Sequence, residues 1–218
     1  MYDRLKEELI HSGIKLDKYG LIALSGGNLS TRTDDGSIIV TPSGMDYDTL
    51  CADDMVVLDP DGKVIEGQRR PSVDTVALLH IYKNLSEVDA VIHTHQIYAT
   101  AIGLVEDRLP AVTTFLANAT LGDVTVAPYS SAASEEMGVQ VVRHLGGKRA
   151  VILRNHGVVT VGKSIREALY AAIYLEDAAK CYVAARTLGT PIELDAEQVR
   201  QAVKVFQNYG QHSVGRRS

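Results

Sequence analysis

The chain has 218 residues, of which 45% are hydrophobic and 22% charged, and its 27 acidic and 22 basic side chains give a net charge of −5. A chain of this length and apolar content can bury a core of its own, which excludes the disordered and fibrous classes of protein. The acidic balance offers no basic surplus that would attract nucleic acid or an anionic membrane, so neither is an expected partner.

Helical and extended hydrophobic patterns alternate along the chain. Apolar residues spaced three and four apart predict an opening amphipathic helix, and a loop at 25–30 follows it. Short strands are predicted next at 37–40, 55–58 and 64–66. A helix introduced by Pro71-Ser72, with Ser72 as its N-cap, is predicted to run to about Leu85. A strand from Val88 to His95 and a short helix from 97 to 104 come next.

The second half of the chain continues the mixture. Strands are predicted at 111–116, 123–127, 149–154 and 157–161, and helices at 133–145, 164–187 and 194–208. Short strands mixed with helices indicate an α/β sandwich. The length predicts a single domain over 1–218, with a C-terminal tail from about residue 206.

The cysteines and the apolar segments indicate a cellular compartment. Cys51 and Cys181 lie far apart and lack the CxxC spacing, which favours reduced, structural thiols. No stretch approaches the roughly 18 apolar residues of a transmembrane helix, and the N-terminus has no apolar signal core. The sequence therefore predicts a cytoplasmic protein.

His93-Thr94-His95 is the sharpest local feature. In a strand, residues i and i+2 project from the same face, so both imidazoles can face one metal ion. His156, which follows a later apolar strand, is the best candidate for a third ligand. Three neutral imidazoles form a catalytic zinc site that keeps one position open for substrate. A His-x-His pair is also common as an ordinary surface or core pair, and spacing alone leaves both interpretations open.

Three small polar segments offer backbone amides and hydroxyls: Ser25-Gly26-Gly27-Asn28, Thr41-Pro42-Ser43-Gly44 and Pro71-Ser72. Such amides can form a nest that binds an anion, and a helix start at Ser72 would favour phosphate. Taken singly, each segment is more commonly a plain turn. Asp74, two residues inside the same helix start, either complements the helix dipole or supplies a carboxylate that moves a proton.

Together these segments resemble the class II aldolase/adducin family. The resemblance covers nearly the whole chain and is carried, in order, by Gly27-Asn28-Leu29-Ser30, Thr41-Pro42-Ser43-Gly44, Pro71-Ser72-Val73-Asp74-Thr75, His93-Thr94-His95 and Asn155-His156-Gly157. It implies a three-layer α/β/α sandwich with a largely antiparallel central sheet. It also implies a homotetramer with active sites at the subunit interfaces.

The resemblance further implies a role for each matching residue. The metal, zinc or another divalent transition metal, would be bound by His93, His95 and His156. The phosphate of a sugar-phosphate substrate would be bound by Ser25, Asn28, Ser43, Gly44 and Ser72. The catalytic side chains would be Asp74 and Tyr209. The metal would act as a Lewis acid on a ketose carbonyl.

Members of this family catalyse different reactions, and the sequence carries marks of two of them. At position 74 the aldolases have glutamate, whereas this chain has aspartate, as the 4-epimerases do. The 127–136 segment and Tyr209 instead resemble the aldolases. Three further positions depart from the fuculose-phosphate aldolases: Val73, Thr114 and Ala132. The resemblance predicts a zinc-dependent sugar-phosphate aldolase that releases dihydroxyacetone phosphate and an aldehyde. A ribulose-phosphate 4-epimerase reaction at the same site and a non-catalytic, adducin-like interaction domain are the alternatives.

Overall fold

The computed structural model describes residues 2–207 and confirms the mixed α/β architecture. The helices are α1 (Asp3–Lys18), α2 (Thr75–Asn84), α3 (Ile97–Val105), α4 (Thr114–Thr120), α5 (Glu135–Leu145), α6 (Ile165–Leu188) and α7 (Ala196–Gln207). The strands are β1 (Asn28–Arg32), β2 (Ile38–Val40), β3 (Val56–Leu58), β4 (Val64–Glu66), β5 (Ala90–Thr94), β6 (Arg108–Leu109), β7 (Val124–Ala127), β8 (Ala150–Leu153) and β9 (Gly157–Gly162). Two short 3₁₀ turns lie at Tyr47–Thr49 and Ala52–Asp54.

The strands form one open sheet in the order β4-β3-β2-β1-β5-β9-β8-β7-β6. Neighbouring strands in the described chain run antiparallel, except that β7 and β8 are parallel. The predicted largely antiparallel sheet is therefore confirmed.

Side chains along each strand alternate between two buried faces of the sheet. In β2, Ile39 packs in a cluster with Leu9 of α1 and residues of α6. Its neighbours Ile38 and Val40 pack on the opposite face with residues of α2 and α5, such as Leu78. Helices therefore cover both faces, which makes the three layers of the sandwich.

Antiparallel pairing brings the polar loops to one end of the central strands. Asn28 at the start of β1 is paired with His93 near the end of β5. Thr94 is paired with Val158 at the start of β9. Because β2 runs antiparallel to β1, its end and the segment 41–44 also lie at this end of the sheet.

Two local predictions in this region of the fold are wrong. The strand predicted at 111–116 does not form, because Thr113 caps α4: its hydroxyl accepts a hydrogen bond from the Leu116 amide at 3.3 Å. Burial of one face of this short helix outweighs the strand preference of its β-branched residues. In addition, the segment predicted as a loop up to residue 30 contains the start of β1.

The predicted N-cap of α2 is also wrong. The helix begins at Thr75, and Asp74, not Ser72, occupies the N-cap position. The Ser72 hydroxyl instead accepts a hydrogen bond from the Asp74 amide at 3.3 Å, closing a turn before the helix. The Asp74 side chain makes no capping hydrogen bond and is free to reach elsewhere.

No helix within residues 2–207 is long and apolar enough to cross a membrane. Helix α7 reaches Gln207 at the start of the predicted tail, and the rest of that tail, with Tyr209, lies outside the described residues.

Candidate active site

The three histidines singled out in the sequence meet at one end of the sheet. Each contributes one ring nitrogen to a group in which all the nitrogens lie within 4.8 Å of one another. The Nε2 atoms of His93 and His95 are 3.0 Å apart. The ring of His156 lies 4.8 Å from that of His93 and 5.3 Å from that of His95, measured between centroids. Folding thus brings His156 next to His95, from which it is distant in sequence.

The fold fixes which nitrogen of His93 is available. This side chain is fully buried in β5, and its Nδ1 donates a hydrogen bond to the backbone carbonyl of Val158 at 2.8 Å. A proton on Nδ1 leaves the lone pair on Nε2, which faces His95. A backbone acceptor on the far nitrogen is the usual way in which a metal-ligating histidine is oriented.

His156 is presented by a tight turn between β8 and β9. Asn155 adopts the left-handed conformation with φ 58°, and the His156 amide donates to the Leu153 carbonyl at 3.1 Å. The next residue is Gly157, where a Cβ would lie closer than 3.0 Å to the Thr94 carbonyl and to the His95 ring. Glycine at this position therefore lets the turn approach the other two histidines.

These residues fit a divalent metal. Two nitrogens bound to one tetrahedral zinc at about 2.0–2.1 Å are about 3.3 Å apart, close to the observed separation of the His93 and His95 nitrogens. The Nδ1 atom of His156 is buried and has no hydrogen-bond partner in residues 2–207. Imidazole nitrogens that face one another are otherwise costly to bury, whereas one cation would bind one nitrogen of each ring.

The protonation states also suit a metal. Burial, followed by the proximity of His95, lowers the pKa of His93 from 6.5 to about 4. Burial is likewise the largest cause lowering the pKa values of His95 and His156. All three imidazoles are then neutral near pH 7, as metal ligands must be.

Asp74 is held beside the histidines through both of its carboxylate oxygens. Oδ2 accepts a hydrogen bond from the Asn28 amide at 2.9 Å, and Oδ1 accepts one from the backbone N–H of Ala133 at 2.9 Å. Oδ2 lies 4.0 Å from Nε2 of His93. Asp74 is 6% exposed, so its carboxylate is presented to the cluster in a fixed orientation.

The three polar segments also come together here. The Ser72 amide donates to the Thr41 carbonyl, and the Ser43 amide donates to the Arg70 carbonyl, at 3.1 and 2.9 Å. Ser72 is buried, Ser43 and Gly44 are exposed, and Ser25 is half-buried. The loop around Ser25 lies against the histidine cluster, because a Cβ on Gly26 would lie 3.3 Å from Nδ1 of His95.

Sequence reasoning placed Asn28 with the phosphate and missed its bond to Asp74. One N–H of the Asn28 side-chain amide donates to that carboxylate and the other remains available, while its Oδ1 is buried without a partner in the described chain. Sequence reasoning also missed Ala133, which acts through a backbone amide in the left-handed conformation, φ 56°. No side-chain pattern signals such a role, because any residue type carries the same amide.

Comparison with known proteins gives a consistent result. Residues 7–183 match the family model described as Class II Aldolase and Adducin N-terminal domain. The chain is 32% identical over 207 residues to 5-deoxy-D-ribulose 1-phosphate aldolase from Bacillus thuringiensis serovar kurstaki, a match that spans 94% of this chain and 97% of that protein.

Two solved structures of aldolases superpose closely on this chain. An L-fuculose 1-phosphate aldolase superposes with a TM-score of 0.89 at 33% identity, covering 95% of this chain and 98% of the other. L-fuculose-1-phosphate aldolase from Thermus thermophilus superposes with a TM-score of 0.76 at 28% identity, covering 86% and 97% of the two chains.

Proposed function

This chain belongs to the class II aldolase and adducin family and is a metal-dependent class II aldolase, and we propose that it cleaves a ketose 1-phosphate into dihydroxyacetone phosphate and an aldehyde. The observation that carries the proposal is the cluster of His93, His95 and His156 with Asp74 fixed beside it. The three relatives above are named for ketose 1-phosphate substrates, which supports this substrate class.

The proposed reaction is a retro-aldol cleavage of the bond between C3 and C4. The C4 hydroxyl loses its proton as that carbon becomes the carbonyl of the aldehyde. The electron pair of the broken bond stays on the C3 side, which takes up a proton to give dihydroxyacetone phosphate. When bound, a divalent metal supplies a Lewis acid that stabilises negative charge developing on the substrate oxygens.

Asp74 is the residue proposed to move the proton at C3. Its carboxylate is buried, and the Asn28 and Ala133 donors hold both oxygens in place. A proton-transfer group held at a fixed position contributes roughly 10²- to 10⁴-fold to a rate. Tyr209, proposed to take the proton of the C4 hydroxyl in cleavage and to return it to the aldehyde oxygen in the reverse condensation, lies outside the described residues.

The substrate phosphate is proposed to bind to Ser25, Asn28, Ser43, Gly44 and Ser72. Backbone contacts join the segments that carry Ser43 and Ser72, and the exposed Ser43 and Gly44 provide an open rim. Amides and hydroxyls converging on one point bind an anion without a basic side chain. A chain of net charge −5 can therefore hold a phosphate here.

Zinc is the proposed metal, because three neutral imidazoles and an open position are its usual catalytic set.

A homotetramer is the proposed assembly. Large apolar side chains close in sequence to residues of the site are exposed in the single chain: Leu24 (81%), Val73 (63%), Ile97 (69%) and Tyr129 (64%). Neighbouring subunits would cover such residues. Light scattering on the eluting protein would show four chains per particle, whereas a monomer would refute this assembly.

A 4-epimerase reaction is the second candidate, favoured by the aspartate at position 74. Aspartate is shorter than the glutamate of the aldolases, and Oδ2 of Asp74 lies 4.0 Å from Nε2 of His93. The same bond cleavage followed by re-addition to the opposite face of the aldehyde would give an epimer. The non-catalytic, adducin-like alternative does not hold, because the chain is an aldolase with its histidine cluster intact.

A substrate panel distinguishes the two reactions. Zinc-loaded protein is incubated with several ketose 1-phosphates and, separately, with L-ribulose 5-phosphate, and the products are followed by coupled assay and NMR. Zinc-dependent release of dihydroxyacetone phosphate is the expected result. Formation of D-xylulose 5-phosphate without free aldehyde, and with no cleavage of the 1-phosphates, would replace the aldolase by the epimerase.

A further inference from the structure

Helix α6 supplies the N-terminal cap of α3, the helix that follows His95 directly. Glu176 on α6 is 3% exposed. Its two carboxylate oxygens accept hydrogen bonds from the backbone amides of Tyr98 and Ala99, at 2.9 and 3.0 Å. The residue at the N-cap of α3, Gln96, makes no side-chain capping bond of its own. The first-turn amides of α3 are thus satisfied by a carboxylate from another helix.

The Gln96 side chain is used for a different purpose. It is fully buried, and its Oε1 accepts a hydrogen bond from the Thr94 hydroxyl at 2.7 Å. Its Nε2 donates to the Ala172 carbonyl at 3.3 Å, one helical turn before Glu176. Two successive turns of α6 therefore hold the chain from Thr94 to Ala99.

His95 lies inside this held segment but outside any strand. β5 ends at Thr94, so His95 lacks the ladder that fixes His93. His93 has in addition its bond to the Val158 carbonyl. The position of His95 relative to His93 consequently depends on its two neighbours, Thr94 and Gln96, and on the α3 turn that follows.

We propose that Glu176 is a positioning residue for the metal centre: by anchoring the first turn of α3 to α6, it sets where His95 presents its nitrogen. A carboxylate suits this task, since it accepts two strong hydrogen bonds and its charge is stabilised at the positive end of a helix. A local serine or aspartate cap would satisfy the same amides without tying α3 to α6. The inference rests on the proposed metal site and adds to it a residue that touches neither metal nor substrate.

The test compares Glu176→Gln with Asp177→Asn. Both changes remove one negative charge from α6, but Asp177 is half-buried and bonds to the surface side chain of Lys180 at 3.3 Å. Zinc affinity is measured by chelator competition, and site geometry by the visible absorption of the cobalt(II)-substituted protein. Glu176→Gln is expected to weaken zinc binding about tenfold or more and to change the cobalt spectrum, as loss of a partner that orients a ligand does. Asp177→Asn should match the wild type in both measurements.

A second variant keeps the test decisive if Glu176→Gln does not fold. Gln96→Met conserves side-chain volume but removes the bonds to Thr94 and Ala172, so it should alter the cobalt spectrum in the same way. Folded variants with wild-type zinc affinity and cobalt spectrum, even at a lower melting temperature, would overturn the inference and leave a purely structural cap. Failure of the wild type itself to bind zinc or cobalt would refute the metal centre, which separates the two failures.

Discussion

The turn at Gly27 lies against the first metal-ligating histidine, and alanine at this position is expected to displace that ligand. Gly27 has φ 77°, and a Cβ added to it would lie well inside 3.0 Å of the His93 carbonyl oxygen. That oxygen belongs to a buried central strand and has no flexible end that could yield. Relief requires a backbone shift of roughly 0.5 Å or more, which reaches the limit of about 0.5 Å within which a functional site must be held.

Gly20 offers a matched control. Its φ is 71°, and a Cβ there would meet no atom of residues 2–207 within 4 Å. Both alanine variants carry the left-handed penalty of about 1–2 kcal/mol. Gly27→Ala, unlike Gly20→Ala, should also weaken zinc binding. The expected loss is about 10- to 100-fold, as when a group that orients a metal ligand is removed. Chelator competition and thermal unfolding of the two variants provide the comparison. Equal zinc affinities would show that β5 absorbs the overlap without moving His93, and the geometric reasoning would then be refuted.

Two further predictions concern the carboxylate and the histidines. Asp74→Asn should retain zinc, which the three histidines hold, while turnover falls by about 10²- to 10⁴-fold; unchanged turnover at full zinc content would limit Asp74 to a structural role. The metal-free protein should lose stability as the pH falls from 6.5 to about 4, because the unfolded chain binds a proton at His93 that the folded chain excludes. The slope for this residue approaches about 1.4 kcal/mol per pH unit. Urea unfolding across that range measures it, and a flat profile would contradict the burial of a neutral His93.

The sequence allowed the central part of the site to be predicted because the relevant signals are local. The i, i+2 geometry of a strand predicts His93 and His95 on one side, and although β5 ends at Thr94 the structure keeps both within reach of one ion. His156 needed the family resemblance as well, since its approach depends on the pairing of β5 with β9. Pairing between distant strands leaves no mark in a short window of sequence.

The parts that sequence reasoning missed depend on tertiary contacts or on backbone groups. The strand predicted at 111–116 became α4 because a capping threonine and burial outweighed β propensity. The backbone amide of Ala133 reaches Asp74 across 59 residues. In the sequence nothing distinguishes Glu176 from other acidic residues of a helix, because its role comes from its hydrogen bonds to the amides of α3. Each role arises from what the folded chain brings together.

Zinc titration of the metal-free protein, with release of dihydroxyacetone phosphate as the signal, tests the central claim most directly. With a ketose 1-phosphate that the enzyme accepts, activity should rise linearly and stop rising at one zinc per chain, as one cluster of His93, His95 and His156 requires. Full activity before any metal is added, or the same titration curve for His156→Ala, would contradict a three-histidine metal centre as the basis of catalysis.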